Sequence, residues 1–350
     1  STSTFVAGVV GAMSGGTSCA NSNNKASTSQ CSIIDCDNIG DTSGLTIVNV
    51  TGKESYQLYA GGIVGYANAP LTMENCSNSM PYLYDAEVSN NGCYYGGIIA
   101  GVTHCSANLT TTIKSCRNSG DIAIKAKKSI NRLAVSGFVG YLDSSNAITI
   151  TAQDITNSGD ITSGGEDAGF NCDILYIAGI LGKMDSNTAT SYNFKDVVNL
   201  GDINVINTII SSDIETDMGG LSGGISRSNE LLCPNEESYI GGIVGNLTKS
   251  LSGVKSLCNI KAYMLDRSVG AKSKGYKNIG ALTGEVRADG VKLTNCYVGG
   301  TICTSAQRDA QGNIQEDITI LDADNYYNYI YGKSITAATA QSDHCVFVTE

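Results

Sequence analysis

The feature that most constrains this chain is that it repeats itself. NSGDI stands at 118–122 and again at 157–161, and NLGDI follows at 199–203. Aligned on the apolar residue two positions before the Asn, the copies fall at Cys36, Cys76, Cys116, Ile155, Val197, Leu257 and Cys296. The steps are 40, 40, 39, 42, 60 and 39 residues, an internal period near 40 with one long interval. A unit of this size buries its apolar face by stacking on its neighbours, so the period outranks any local motif.

A second element keeps the same period. It reads VAGVVG (6–11), AGGIVG (60–65), YGGIIA (95–100), VSGFVG (135–140), IAGILG (177–182), MGGLSG (218–223), IGGIVG (240–245) and IGALTG (279–284). Alternate positions of a strand share a face. The fourth position (Val9, Ile63, Ile98, Phe138, Ile180, Leu221, Ile243, Leu282) is then expected to point into a core. The fifth, which admits Ser222 and Thr283, is expected to point out.

In the first element an apolar residue precedes the anchor by three: Ile33, Met73, Ile113, Ala152, Phe194, Val254, Leu293. An odd spacing puts both on one face only if a bend or bulge lies between them. Asn follows the anchor by two at Asn38, Asn78, Asn118, Asn157, Asn199 and Asn259, with Val298 the exception. Gly40, Gly120, Gly159 and Gly201 come next, a residue suited to a positive-φ corner. An apolar strand resumes at Tyr82, Ile122, Ile161, Ile203, Tyr263 and Ile302.

Three short strands per repeat, corners of fixed chemistry and one variable loop predict an all-β fold. The expected architecture is a parallel, right-handed β-helix of ~40-residue three-strand repeats over residues 1–303, with a Tyr-rich final coil or cap over 304–350. Coils stack ~4.8 Å apart, so seven or eight of them make a rod of about 35–40 Å. The Asn side chains then form a structural ladder, each amide bonding the next. The rival is a propeller, whose blades have a similar length but need four antiparallel strands and hairpin turns.

Composition narrows the partners. The formal net charge is −11, which argues against nucleic acid. No apolar run is long enough for a bilayer-spanning helix. The start, STSTFVAG, lacks Met and a signal segment and reads as a processed or trimmed piece of a longer product, which leaves export open.

The chemistry of an active site is hard to find. The only two His, His104 and His344, each neighbour a Cys and so point to the opposite strand face. The 13 cysteines show no C-x-x-C. Those in the anchor column alternate with Ile, Val and Leu and read as small buried hydrophobes with free thiols. Asp41, Asp121, Asp160 and Asp202 obey the repeat, so they read as turn residues of the corner whose carboxylates bond local N–H groups. Calcium between neighbouring Asp side chains is the minor alternative. No cofactor, metal site or catalytic residue is expected. The tail carries Tyr326, Tyr327, Tyr329 and Tyr331, the candidate binding residues for a protein or glycan; the competing reading is a cap over the open edge of the last coil.

The GGIVG-type strands and the C-x-N-x-G-D-I corners resemble the GLUG-motif repeats of bacterial surface proteins. The endings Asn295-Cys296-Tyr297 and Asn325-Tyr326-Tyr327 resemble that family's Asn-Cys-aromatic ending. Such repeats occur in adhesin-like proteins and beside the metallopeptidase domain of immunoglobulin A1 proteases. The resemblance covers about residues 5–303. It implies an extracellular or cell-surface, non-catalytic repeat region with a host protein or glycan as partner. A peptidase of that family needs H-E-x-x-H, which this chain lacks, so any such activity belongs to a parent protein. The alternative is a polysaccharide-degrading β-helix enzyme, which places carboxylates and often Arg or Lys on one face. Oligomeric state is not legible.

Overall fold

The structure, a computed structural model, describes residues 3–14, 30–41, 44–49, 57–86, 92–103, 109–144, 148–164, 170–186, 191–209, 237–266, 270, 273–276, 278–288, 290–334, 341–343 and 345–347. The Gly-rich copy at 218–223, both His residues, Cys19, Cys105 and Cys233 lie outside these.

Most strands pair, parallel and in register, with their counterpart one repeat later. Leu109–Asn118 pairs with Ile148–Asn157, which pairs with Ser191–Asn199. The chain is therefore a parallel β-helix, and the propeller is excluded. Three sheets of 15, eight and ten strands run along it, with a three-stranded sheet near the C-terminal end. One coil shows the path. Tyr82–Ala86 and Gly92–Gly96 lie in the first sheet, Ile99–Thr103 in the second and Leu109–Asn118 in the third.

The Gly-rich element is two strands joined by a bend. Gln57–Gly61 ends at the first glycine, and Val64–Asn68 starts beyond Gly62 and Ile63. In the bend, the N–H groups of Ile63 and Val64 both donate to the Ile98 carbonyl, each at 2.9 Å. The same fork recurs on the carbonyls of Phe138, Ile243 and Leu282. Consecutive residues consequently both turn inward. Ile63 and Val64, Ile98 and Ile99, and Leu282 and Thr283 are all buried. This corrects the expectation that the fifth position faces solvent, which assumed one straight strand. Fully burying an aliphatic side chain stabilises by roughly 1.5–3 kcal/mol, and such pairs are buried in each described Gly-rich element but the first, where Val9 is exposed.

The bulge ahead of the anchor is a single left-handed residue. Asp35, Asn75, Ser115, Asp154, Asp196, Gly253 and Asn295 take φ values of 51–67°. Short polar side chains and glycine tolerate that region best. Gly253 also fixes the register of the long interval. Val254 pairs with Val197, and Lys255 with Tyr297, so Val254 is the anchor and not Leu257, which stays half-exposed. The correction carries through the coil. Leu251 takes the position three before the anchor, in line with Leu293. Ser256 stands beside Asn199, and Ile260 is the post-corner residue in place of Tyr263.

The corner glycines are also used differently. Gly40, Gly120, Gly159 and Gly201 are not in positive-φ conformations. A Cβ on Gly159 would stand 2.2 Å from the Gly120 carbonyl oxygen, and one on Gly201 2.1 Å from that of Gly159. Close stacking of coils, not backbone handedness, excludes a side chain here.

The last coil continues the parallel sheets through Tyr331–Ser334, Gln341–Asp343 and Val346–Phe347. The first sheet instead ends on an antiparallel hairpin, Thr301–Arg308 with Ile314–Ile320.

Candidate functional site

The Asn row is continuous over five coils. The side-chain amide of Asn38 donates to Asn78 Oδ1 at 2.7 Å, Asn78 to Asn118 at 2.8 Å, Asn118 to Asn157 at 2.8 Å and Asn157 to Asn199 at 2.7 Å. The second amide proton of each of Asn118, Asn157 and Asn199 goes to the carbonyl two residues on, at 3.0–3.1 Å. Asn259 does not belong to this row. The shifted register puts it in the Asp row, where its backbone N–H donates to Asp202 at 2.8 Å and its amide at 3.2 Å.

That Asp row has its own pattern. Asp121 accepts the Asp160 N–H at 2.9 Å, and Asp160 accepts the Asp202 N–H at 2.8 Å. Each carboxylate thus bonds the backbone of the next coil rather than its own turn. Partial burial raises the Asp160 carboxyl, and the Asp202 N–H works against that shift. Among the described residues, no group of three or more His, Cys, Asp or Glu is placed to hold a metal ion.

The ten described cysteines are free thiols. Cys76 and Cys116 occupy successive coils of the anchor column, and their thiols also donate to the carbonyls of Glu74 and Lys114 at 3.2 and 3.1 Å. Burial pushes the Cys93 thiol up to about 12 and the Cys258 thiol up to about 11.

A feature the sequence reading missed lies outside the core, in the angle of the Gly bend. Phe5, Tyr59, Tyr94, Tyr176 and Tyr239 stand three residues before the third position of five of the Gly-rich elements, Ala134 and Asn278 taking that place in the elements at 135–140 and 279–284, and Tyr66, Tyr141 and Lys183 stand just beyond the end of three of them. They stack into one seam. Ring centroids are 4.9 Å apart for Phe5–Tyr66, 4.8 Å for Tyr66–Tyr59, 4.8 Å for Tyr59–Tyr94 and 4.6 Å for Tyr94–Tyr141. The buried Lys183 ammonium then bridges, 4.8 Å from the Tyr141 ring and 5.7 Å from Tyr176. Tyr176–Tyr239 follows at 5.1 Å, and the Arg287 guanidinium lies 5.8 Å from Tyr239 and pairs with Glu285 at 2.9 Å. Large and small alternate across the bend: Gly101 stands where a Cβ would lie 2.7 Å from the Tyr59 ring. Burial, with the neighbouring Tyr94 and Tyr66 phenols, pushes the Tyr59 phenol well up. The sequence signal was the aromatic at a fixed offset from the glycines. Most of the rings are stacked face to face, with interplanar angles of 20–27°, so the seam is a second packed column rather than an open binding platform.

The C-terminal end is the surface that departs from the repeat. Tyr326, Tyr329 and Tyr331 pack partly buried against the core, and the Tyr326 hydroxyl donates to the Cys345 carbonyl at 3.0 Å. Tyr327 alone of the four points out, 58% exposed, its ring edge-on to Tyr326 at 6.1 Å. On the neighbouring hairpin Ile318 and Ile320 are 49% and 68% exposed. A groove of about 290 Å³ beside it is lined by Ser305, Ala306, Gln307, Gln315, Glu316 and Asp317. Glu316 accepts from Lys261 at 2.7 Å and from the Tyr263 hydroxyl at 2.8 Å. Burial works to raise its carboxyl, but these two donors outweigh burial and hold it below the ordinary value.

Comparison of the chain with family models, with curated proteins and with solved structures finds no match.

Proposed function

We propose that this chain is a non-catalytic rod, the extracellular β-helical repeat region of a bacterial surface protein. It is either adhesin-like or the spacer and recognition part of an immunoglobulin A1 protease-like protein. One observation carries the reading. The polar side chains that recur, the Asn and Asp rows, are spent on bonds between coils. A carboxylate that accepts the next coil's N–H is committed to stacking rather than to a substrate. What remains for recognition is the part that breaks the repeat: Tyr327, Ile318, Ile320 and the groove along Ser305–Gln307 and Gln315–Asp317. Exposed aromatic and aliphatic side chains beside polar groups suit a protein or glycan surface.

The test is an array of glycans and host matrix proteins probed with the parent chain and with Tyr327→Ala and Ile320→Ser. Binding lost in these variants at unchanged stability supports the reading. Turnover of a polysaccharide, abolished by one carboxylate substitution, overturns it in favour of an enzyme.

A further inference from the structure

The two ends of the rod are not equivalent. At the C-terminal end the core columns close. Ile330, in the column of Ile63 and Leu282, is 2% exposed, and Cys345, in the column of Cys296, is 9% exposed. Tyr326, Tyr329 and Tyr331 pack over them. At the N-terminal end the same columns are open. Val9 is 45% exposed. Val6, Val10, Met13, Cys31 and Cys36 are only half-buried. Their partners one coil on, Ala60, Val64, Ala67, Leu71 and Cys76, are fully buried. The inner set has a described coil on both sides, the outer set on one side only.

The amide row has the same polarity. Asn38, Asn78, Asn118 and Asn157 each donate from Nδ2 to the Oδ1 of the Asn one coil nearer the C-terminal end. The row stops at its C-terminal end, because Ser256 and then Val298 follow Asn199. At the other end it does not stop. Asn38 donates to Asn78 and to the Tyr82 hydroxyl, while its Oδ1 accepts from no described residue. The end therefore presents an acceptor in ladder register, half-covered apolar columns, and the outer edges of Ser3–Ala7, Val10–Ser14 and Cys31–Ile34, which pair with no further strand among the described residues.

We propose that the N-terminal coil is an extension face whose occupant is one further coil of this same repeat. That coil enters parallel and in register and carries an Asn that donates to Asn38 Oδ1. The contact repeats the interface already made between successive coils from Asn38 to Asn199, so its chemistry is fully specified. A second copy docking head to head is disfavoured. It would bring two Asn38 oxygens, both acceptors, against each other and would leave them unbonded. The inference rests on the geometry of the end and stands apart from the recognition role assigned to the opposite one.

The test appends residues 57–91, one coil from Gln57 up to the residue before Gly92, ahead of Ser3 in the full chain. The readouts are alkylation of Cys36 in the native state and the midpoint of thermal unfolding. Docking of the appended coil slows Cys36 alkylation by about tenfold or more and raises the midpoint. Replacing the appended coil's ladder Asn with Leu gives back most of that protection. A Cys36 rate equal to the parent's overturns the proposal, since an undocked coil leaves the rest of the rod folded. So does protection of Cys36 in the unextended chain that grows with protein concentration alongside a dimer in sedimentation, which would make a second copy the occupant.

Discussion

Gly137 and Asn157 touch across the interior of the β-helix. A Cβ built on Gly137 would stand 2.2 Å from the Asn157 amide carbon. The same contact joins Gly97 with Asn118 and Gly179 with Asn199. Two regular features of the sequence, the third-position glycine of the Gly-rich element and the ladder Asn, are therefore one structural unit seen from its two sides. Each glycine lacks a side chain because an amide of the ladder occupies that space.

This pairing gives a double-mutant prediction. Gly137→Ala is expected to cost about 1–3 kcal/mol through overpacking. Asn157→Ala should cost about 1–3 kcal/mol by removing the acceptor of one Asn118 amide proton and the donor to Asn199 Oδ1. Because the alanine at 157 vacates the space that the alanine at 137 needs, the double variant should cost less than the two together by about 1 kcal/mol or more. Denaturant midpoints of the four proteins measure this directly. Strict additivity would show that glycine is there for some other reason.

Much of this was readable beforehand, and the failures have identifiable causes. The period, the parallel β-helix and the Asn spacing all follow from composition at fixed offsets. The error at Leu257 came from letting Asn259 set the register. The left-handed residue before the anchor was the better guide: Asp35, Asn75, Ser115, Asp154, Asp196, Gly253 and Asn295 form a small-polar-or-Gly column that selects Val254. The Gly bend was misread because strand alternation presupposes a straight strand, and a fork of two N–H groups on one carbonyl breaks it. The aromatic seam depends on that bend, so it could not be assembled from the sequence even though Tyr59, Tyr94, Tyr176 and Tyr239 share an offset.

A second prediction concerns packing. A small apolar cavity in the core is lined by Val102, Ile113, Phe138, Leu142, Ala152 and Ile155, among others. Ala152 is the one small residue in a column otherwise filled by Ile33, Met73, Ile113 and Phe194. Ala152→Val should raise stability by about 0.5–2 kcal/mol, as cavity-filling substitutions do. A loss of stability would mean that Phe194 already claims the space.

Thiol reactivity should follow position along the rod. Cys36 and Cys31, in the first coil, are half-exposed, whereas Cys76, Cys93, Cys116 and Cys172 are buried. Alkylation of the native protein is expected at the first pair, with the buried group reacting only on unfolding. Partial burial and the nearby Cys76, Asp35 and Asp37 raise the Cys36 thiol. Since the thiolate is the nucleophile, its labelling should need a higher pH than a free thiol of the same kind. Mass mapping of labelled peptides after a short pulse decides the order.

The C-terminal hairpin should loosen in acid. Glu316 titrates below its ordinary value of 4.5 because Lys261 and the Tyr263 hydroxyl favour its charged form. A depressed folded-state carboxyl contributes stability that is present above about pH 4.5 and is lost as the pH falls through the lower folded value. Hydrogen exchange of 301–320 should accelerate below pH 4.5 more than that of the third sheet. Glu316→Gln should be less protected at pH 7 and nearly insensitive across this window. An identical acid response in parent and variant would remove Glu316 from the account.

The aromatic seam makes the last prediction. Lys183 is buried, and its ammonium lies between the rings of Tyr141 and Tyr176. It joins the N-terminal run of stacked rings to the Tyr176–Tyr239 pair. A desolvated cation–π contact is worth about 2 kcal/mol, while burying an ammonium carries a penalty that such contacts offset. Two substitutions separate these effects. Lys183→Met keeps the apolar stem and removes the charge, so it should cost no more than about 1–2 kcal/mol. Lys183→Ala removes the stem as well and opens a gap between Tyr141 and Tyr176, so it should cost about 2–5 kcal/mol, in the range of core truncations. If the ammonium is what binds the seam together, the Met variant will be nearly as unstable as the Ala variant. If packing of the stem dominates, Met will lie close to the parent. Chemical denaturation of the three proteins ranks them, and near-ultraviolet circular dichroism of the tyrosines reports whether the rings on either side of the substitution keep their stacking.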